Sequence, residues 1–282
     1  LVRDYGSESP ASEPDDAVNA ARELFEAEFV DIFVGPPRSG AAVAVQNLAS
    51  PEELDIVLMS GPGATPDVTG ANFNTNTFRV CRNALQDAIA ISASDSLQEG
   101  DTYITLASDN AFGVGTAAGY DFAFPLAGIE PADDTILVPS DTVDFTPFLQ
   151  QVAESEADHF VVIWAGGSSI TLFQQIEELG IAANSNLIAS TNSNDIVAAV
   201  PVAVGSQAYL IYNYTIPDNE INDWLVEKHI ALFGTEPDLF SECGFASAQA
   251  LYLGLEASGG DPLPDALVPA LEGLSFEGPK GT

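Results

Sequence analysis

Asp31-Ile32-Phe33-Val34-Gly35-Pro36-Pro37-Arg38-Ser39-Gly40 passes from a short apolar run into a Gly/Pro turn and then into the helical spacing of Ser39–Leu48. A strand that feeds a helix in this way is the repeating step of a parallel α/β sheet, because parallel strands need a crossover that covers the sheet. Upstream, Asp15–Glu28 carries Ala17, Ala20, Ala21, Leu24 and Phe25 on one side and acids on the other, which predicts a helix. Downstream the step recurs. Strands are expected over Asp55–Met59, Thr77–Val80, Thr102–Ala107, Thr135–Val138, His159–Ile163, Asn186–Ala189 and Ala208–Tyr214. Helices are expected over Asn83–Ser94, about Gly115 to Ala127, Phe145–Ser155, Ile170–Leu179 (closed by Gly180) and Ile196–Ala199. Three more follow at Glu220–Phe233, Ser241–Ser258 and Pro264–Leu271. The strands are too many for one small sheet, so the fold class is α/β with two doubly wound parallel sheets.

Ligands of such folds sit beyond the carboxyl ends of the strands. The Gly/Ser/Thr clusters lie there: Gly35–Gly40, Ser60–Thr65, Asp109–Gly115, Gly166–Ser169 and Ser190–Asn194.

Composition narrows the possibilities. Seven basic residues face 42 acidic ones, a formal net charge of −35, and Lys228 and Lys280 are the only lysines. Such a shell repels itself in ordinary salt and is screened to roughly 3 Å at 1 M. This predicts a halophilic source and argues against nucleic acid, which needs a basic stripe. Apolar residues at 46%, with 16 Phe, 7 Tyr and 2 Trp, supply one or two sizeable cores. Apolar stretches such as Ile196–Val204 fall short of the roughly 20 residues that span a bilayer. Nothing resembling a signal peptide opens the chain; Leu1-Val2-Arg3-Asp4 reads as the end of a strand, and Gly6–Asp16 as a solvated acidic loop. Cys81 and Cys243 either bridge in an oxidising compartment or serve as two small buried hydrophobes; the sequence leaves both open.

Chemical motifs are weak. Gly35-Pro36-Pro37-Arg38-Ser39-Gly40 has the outer spacing of a phosphate loop but continues Ala41-Ala42 in place of Lys-Ser/Thr. Its helix N-terminus can still hold a carboxylate, with Ser39 as a hydroxyl donor or as a helix cap. Gly113-Val114-Gly115-Thr116-Ala117-Ala118-Gly119 departs from the dinucleotide fingerprint at its third glycine. His159 and His229 have no partner at metal-ligand spacing, and no Ser or Cys sits in a nucleophile motif. Asn213-Tyr214-Thr215 is a glycosylation sequon, but its place in an expected strand argues against modification. The sequence offers a place to bind rather than a reaction.

At these turns the chain resembles the type I periplasmic-binding-protein superfamily, and within it the branched-chain amino acid (Leu/Ile/Val) and amide substrate-binding proteins of ABC transporters. The segments that carry the resemblance run in family order. They are Asp15-Asp16-Ala17, Ala21-Arg22-Glu23-Leu24-Phe25, Val30 to Pro36, Ser39-Gly40, Ser60 with Ala64-Thr65, and Phe78-Arg79 with Arg82-Asn83. Ser108-Asp109, Phe112-Gly113, Asp144-Phe145-Thr146-Pro147, Ala165-Gly166, Gln174-Gln175 and Phe245-Ala246 to Gly260 continue the set. Family members carry a first strand and helix before Leu1 and further strands after Gly281, so a longer mature protein is expected, with its signal peptide and lipid anchor elsewhere.

The resemblance implies two hinged lobes, 1–81 plus 214–275 and 82–213 plus 276–282. It implies an extracytoplasmic protein, working as a monomer and without cofactor, metal or catalytic step. Such a protein holds an amino acid, amide or small carboxylate and delivers it to the permease subunits of an ABC importer. On the family pattern, Ser39 and the Gly63-Ala64-Thr65 turn receive the ligand carboxylate through hydroxyls and backbone N–H groups. Phe112 supplies an aromatic face, and Trp164 or the turn at Gly166, with Thr191 and Asn192, faces the ligand amine or side chain. Arg82 either adds a bidentate contact or, like Arg79, pairs with Asp87 or Asp109. Around Thr191 the leucine-binding members supply a carboxylate where this chain has Ser190-Thr191-Asn192-Ser193-Asn194. A sensor or chemotaxis receptor domain of the same fold, and an α/β enzyme, are the alternatives.

Overall fold

The computed structural model describes residues 13–189, 194–200 and 205–282. The described residues divide into two compact units, one drawn from 1–83 and 212–282 and one from 84–211. The tail 276–282, expected with the second lobe, instead belongs to the first unit: Gln249 Nε2 donates to Glu277 O at 2.7 Å, and Lys280 pairs with Glu242 at 2.8 Å.

The first unit carries a parallel sheet in the order β1 (Ile32–Val34), β2 (Val57–Met59), β3 (Thr77–Phe78). Side chains alternate across a strand, so each face finds its own cover. Phe33 and Leu58 pack with Ala17 and Ala21 of α1 (Pro14–Glu28) and with Ala41, Val45 and Leu48 of α2 (Ser39–Ala49). Val57 and Met59 face the other way, onto Ala250 and Leu251 of α9 (Leu239–Ala257) and Leu267 and Leu271 of α10 (Pro264–Leu271). Ahead of α9 in sequence lies α8 (Glu220–Phe233), started by Asn219, whose side chain accepts from the N–H groups of Ile221 and Asn222. Cys81 and Cys243 form a disulfide inside this unit, with Cα atoms 5.4 Å apart. A Cβ on Gly61 would lie 2.7 Å from the Cys81 sulfur and 3.0 Å from that of Cys243, so this close approach requires glycine.

The second unit holds a six-stranded parallel sheet. Its path runs β5 (Glu130–Pro131), β4 (Thr102–Ser108), β7 (His159–Ile163), β8 (Asn186–Ala189), β9 (Gln207–Ala208), with β6 (Ile136–Val138) also on β4. Ile104, Leu106, Phe160, Val162 and Leu187 point to α5 (Thr146–Glu154) and α6 (Ser169–Glu178). Tyr103, Ala107, Val161, Ile163 and Ile188 point to α3 (Ala84–Ser92) and α4 (Ala111–Leu126). A last short helix, α7, spans Asn194–Ala199.

Four elements depart from the sequence reading. Helix α4 begins at Ala111 rather than near Gly115, because Asn110 caps it by accepting from the N–H groups of Phe112 and Gly113. The strand expected over Thr77–Val80 stops at Phe78, which frees Arg79 from the ladder. The strand expected over Ala208–Tyr214 is confined to Gln207–Ala208, where it pairs with Ile188 and Ala189 at the end of β8. The pair Glu130–Pro131 adds a strand that its composition did not announce. Leu1–Asp4 lies outside the described residues.

His159 serves structure. His159 is fully buried, and its Nε2 lies 2.8 Å from Asp101 Oδ2; Gln98 N donates to the same oxygen. The His159 bond, then the Gln98 bond, hold the Asp101 carboxyl below its ordinary 3.8. A depressed carboxyl contributes stability that is fully present above the unfolded value and is lost as pH falls through the folded one. Asp101→Asn is therefore expected to lower the melting temperature at pH 7, with the gap to the parent closing below about pH 4. A gap of equal size at pH 7 and pH 3 contradicts this.

Candidate functional site

Three strand ends of the first unit bring one set of polar groups together. After β1, Gly35 (φ 104°) and Pro36, joined by a cis peptide, lead into α2. The first bond of α2 runs from Ala42 N to Arg38 O at 2.8 Å, so the N–H groups of Ser39, Gly40 and Ala41 precede it. After β2 come Ser60, a second cis peptide at Gly61-Pro62, and the buried run Gly63-Ala64-Thr65. A Cβ on Gly63 would lie 3.0 Å from Ala42 Cβ and 3.3 Å from Pro36 O, so glycine lets this turn press on the turn after β1. After β3 comes Arg79.

Hydrogen bonds link these turns in series. Thr65 N donates to Ser39 Oγ at 3.1 Å, and Arg79 donates an Nη2 hydrogen to Thr65 O at 2.9 Å. Thr65 Oγ1 donates to Asp67 Oδ2 and accepts from Asp67 N, capping the 3-10 turn Pro66–Thr69. Both donors of Thr65 are thus engaged within the chain, and its part is to shape the turn. Ser39, in contrast, accepts through its oxygen and keeps its own proton to give. Ser39→Ala strands the buried Thr65 N–H, and is expected to cost about 1–3 kcal/mol of stability. Denaturant unfolding that leaves the midpoint unmoved contradicts the link.

Two further groups at these strand ends, Ser60 and Arg79, complete the set. Ser60 is fully buried, and its hydroxyl has no partner. Arg79 is half-buried, and its Nε and Nη1 are shielded from solvent without an acceptor. Burial, then the charge of Arg82, push its guanidinium down to about 10, while Asp67 works in the opposite sense; the group stays charged at neutral pH. The sequence places Arg79 inside an expected strand, near the anion-holding turns, and weighs it as a partner of Asp87 or Asp109. Only the early end of β3 turns it into a residue of the strand-end turns.

The second unit presents its own strand-end turns. Phe112 stands half-buried on the first turn of α4, below Asn110, whose Nδ2 donates to Ser140 Oγ at 2.9 Å. Gly113 presses so closely on the Ser108 backbone that any Cβ would collide with it. That glycine serves chain packing, not a pyrophosphate. Trp164 is 5% exposed, stacks edge-on with Phe145 at 4.9 Å and donates its indole N–H to Ser168 Oγ. It packs into the core of the second unit, and the turn it supports is Gly166–Ser168, with Gly166 at φ 116°. Thr191 and Asn192 lie outside the described residues.

A cavity of about 320 Å³ in the first unit involves neither Ser39 nor Thr65; it is lined by Val80, Glu242, Phe276 and Lys280 among others. Burial raises the Glu242 carboxyl, and Lys280 opposes the shift. Lys280 Nζ reaches Glu242 Oε2 at 2.8 Å. This ion pair fastens the tail to α9. Among the described residues, no group of three or more His, Cys, Asp or Glu is placed to hold a metal ion, and no helix is long and apolar enough to cross a membrane.

Residues 4–282 match the family of periplasmic binding proteins. The chain belongs to that family. Among solved structures, an ABC-type branched-chain amino acid transporter protein of Rhodopseudomonas palustris CGA009 is 32% identical, with a TM-score of 0.72. That alignment covers 96% of this chain and 72% of the other. A benzoate complex of an R. palustris solute-binding protein (22% identity, TM-score 0.85, covering 97% and 75%) shares the fold. So does the leucine-binding protein LivK of Thermotoga maritima (18%, TM-score 0.85, covering 97% and 77%). A search of curated proteins returned no match. Membership in the periplasmic binding proteins carries an extracytoplasmic location, with which the Cys81–Cys243 disulfide agrees.

Proposed function

We propose that this periplasmic binding protein captures a small carboxylate at the strand-end turns of its first unit and delivers it to the permease of an ABC importer. The observation that carries the reading is Arg79: a charged guanidinium, shielded from water, with two N–H donors and no acceptor. A buried donor without a partner costs about 1–3 kcal/mol, and a carboxylate that accepts from it removes that cost. The N-terminus of α2, the Ser39 hydroxyl and the Ser60 hydroxyl add neutral donors of the same polarity. In a chain with seven basic residues, the nearness of Arg79 and Arg82 is a local positive field that favours anions. The related proteins take branched-chain amino acids, leucine and benzoate, all of which carry a carboxylate.

A thermal-shift screen in high salt with leucine, valine, benzoate and 4-hydroxybenzoate tests the reading. A ligand at 100 times its dissociation constant stabilises by about 2.7 kcal/mol, a readily measured shift. Binding only of uncharged compounds in a wider panel overturns it.

The acidic surface supports adaptation to high salt. The melting temperature is expected to rise steadily between 0.1 and about 2 M KCl as self-repulsion is screened. A flat profile sets that idea aside.

A further inference from the structure

We infer that Asn213 is an acceptor for an N-linked glycan. Asn213-Tyr214-Thr215 is the only Asn-X-Ser/Thr triplet of the chain. A strand would hide it, but the structure places it in a turn after β9, closed by Ile216 N donating to Asn213 O at 3.0 Å. Asn213 and Thr215 are both exposed, and Ile216 beside them is 77% exposed. The turn is braced by Asn222: its Nδ2 donates to Tyr214 O and Pro217 O, and the buried Tyr212 hydroxyl donates to Asn222 Oδ1 at 2.7 Å. Its outer side has room for a bulky polar substituent.

The local chemistry fits the acceptor role. Asn213 Oδ1 accepts from both Thr215 N at 3.1 Å and Thr215 Oγ1 at 2.9 Å, while its Nδ2 has no bond among the described residues. Two donors on the amide oxygen draw electron density from the nitrogen and acidify its hydrogens, which eases loss of a proton to a transferase base. The freed Nδ2 pair then forms a bond to the anomeric carbon of a polyprenyl-phosphate-linked glycan. The carbon–oxygen bond to phosphate breaks, and the lipid phosphate leaves with the electron pair. The hydroxyl that makes this contact in the chain is the one the sequon requires at its third position. The disulfide agrees with exposure to the compartment where sequons are read.

The test is peptide mass spectrometry of the full chain incubated with an oligosaccharyltransferase and a lipid-linked glycan donor, beside an established acceptor protein. Glycan mass on the Asn213 peptide is expected, retained in part by Thr215→Ser and lost in Asn213→Gln and Thr215→Ala. Unchanged circular dichroism of the Thr215 variants separates loss of the acceptor from loss of the fold. An unmodified Asn213 peptide in a reaction that glycosylates the control protein overturns the assignment.

Discussion

Replacing Cys81 and Cys243 by serine is expected to lower the unfolding free energy by about 4–5 kcal/mol, the loop-entropy value for a cross-link over this span. The two cysteines are 162 positions apart, so the bond ties the turn after β3 to helix α9 near the other end of the sequence. Both lie in the first unit, and the loss is expected in that unit's transition. Gly61 packs against both sulfurs, so the serine pair also leaves the turn after β2 less well supported. Equilibrium unfolding with and without reductant gives the same answer without mutation. A midpoint that does not move on full reduction would show that the chain entropy is restrained by something else.

Arg79→Met is expected to weaken binding of a carboxylate ligand by tenfold to more than a hundredfold. A charge-assisted hydrogen bond contributes about 1.5–3 kcal/mol, and 1.4 kcal/mol is a factor of ten. Methionine keeps most of the side-chain length and removes every donor. The variant also loses the bond to Thr65 O, so its own stability must be measured beside its affinity. Arg79→Lys separates the two parts of the effect: it keeps the charge and loses the planar fork. Its affinity is expected to fall between parent and methionine variant. Calorimetric titration with leucine and with benzoate reads both; parent-like affinity in Arg79→Met removes the guanidinium from the site.

Much of this architecture was legible because the sheets are parallel and buried on both faces. Continuous apolar runs such as His159–Ile163 have few other structures available, and their helices announce themselves by spacing. What escaped was set by partners distant in sequence. Ala208–Tyr214 is apolar enough for a strand, yet among the described residues the ladder holds only Gln207–Ala208, and Asn213 lies in a turn. The first turn of α4 depended on a single cap, Asn110, five residues before the glycine that suggested a start. At the site, Ser39 and Thr65 were readable as strand-end polar residues, and they do meet. That Thr65 spends its donors on Asp67 and Ser39 is a matter of turn geometry that no spacing encodes. The same holds for Trp164. Its contacts with Phe145 and Ser168, which hold it against the core, are set by the fold and not by its place at a strand end.

The most direct test of the carboxylate reading is a pair of calorimetric titrations of the unmodified protein, one with a carboxylate found in the thermal screen and one with its neutral primary amide. The two compounds have nearly the same shape and differ in charge at the atoms that Arg79 is proposed to meet. The account predicts that the amide binds at least about tenfold more weakly, since it loses a charge-assisted bond and brings hydrogens toward donors. Equal affinity for the two would contradict it.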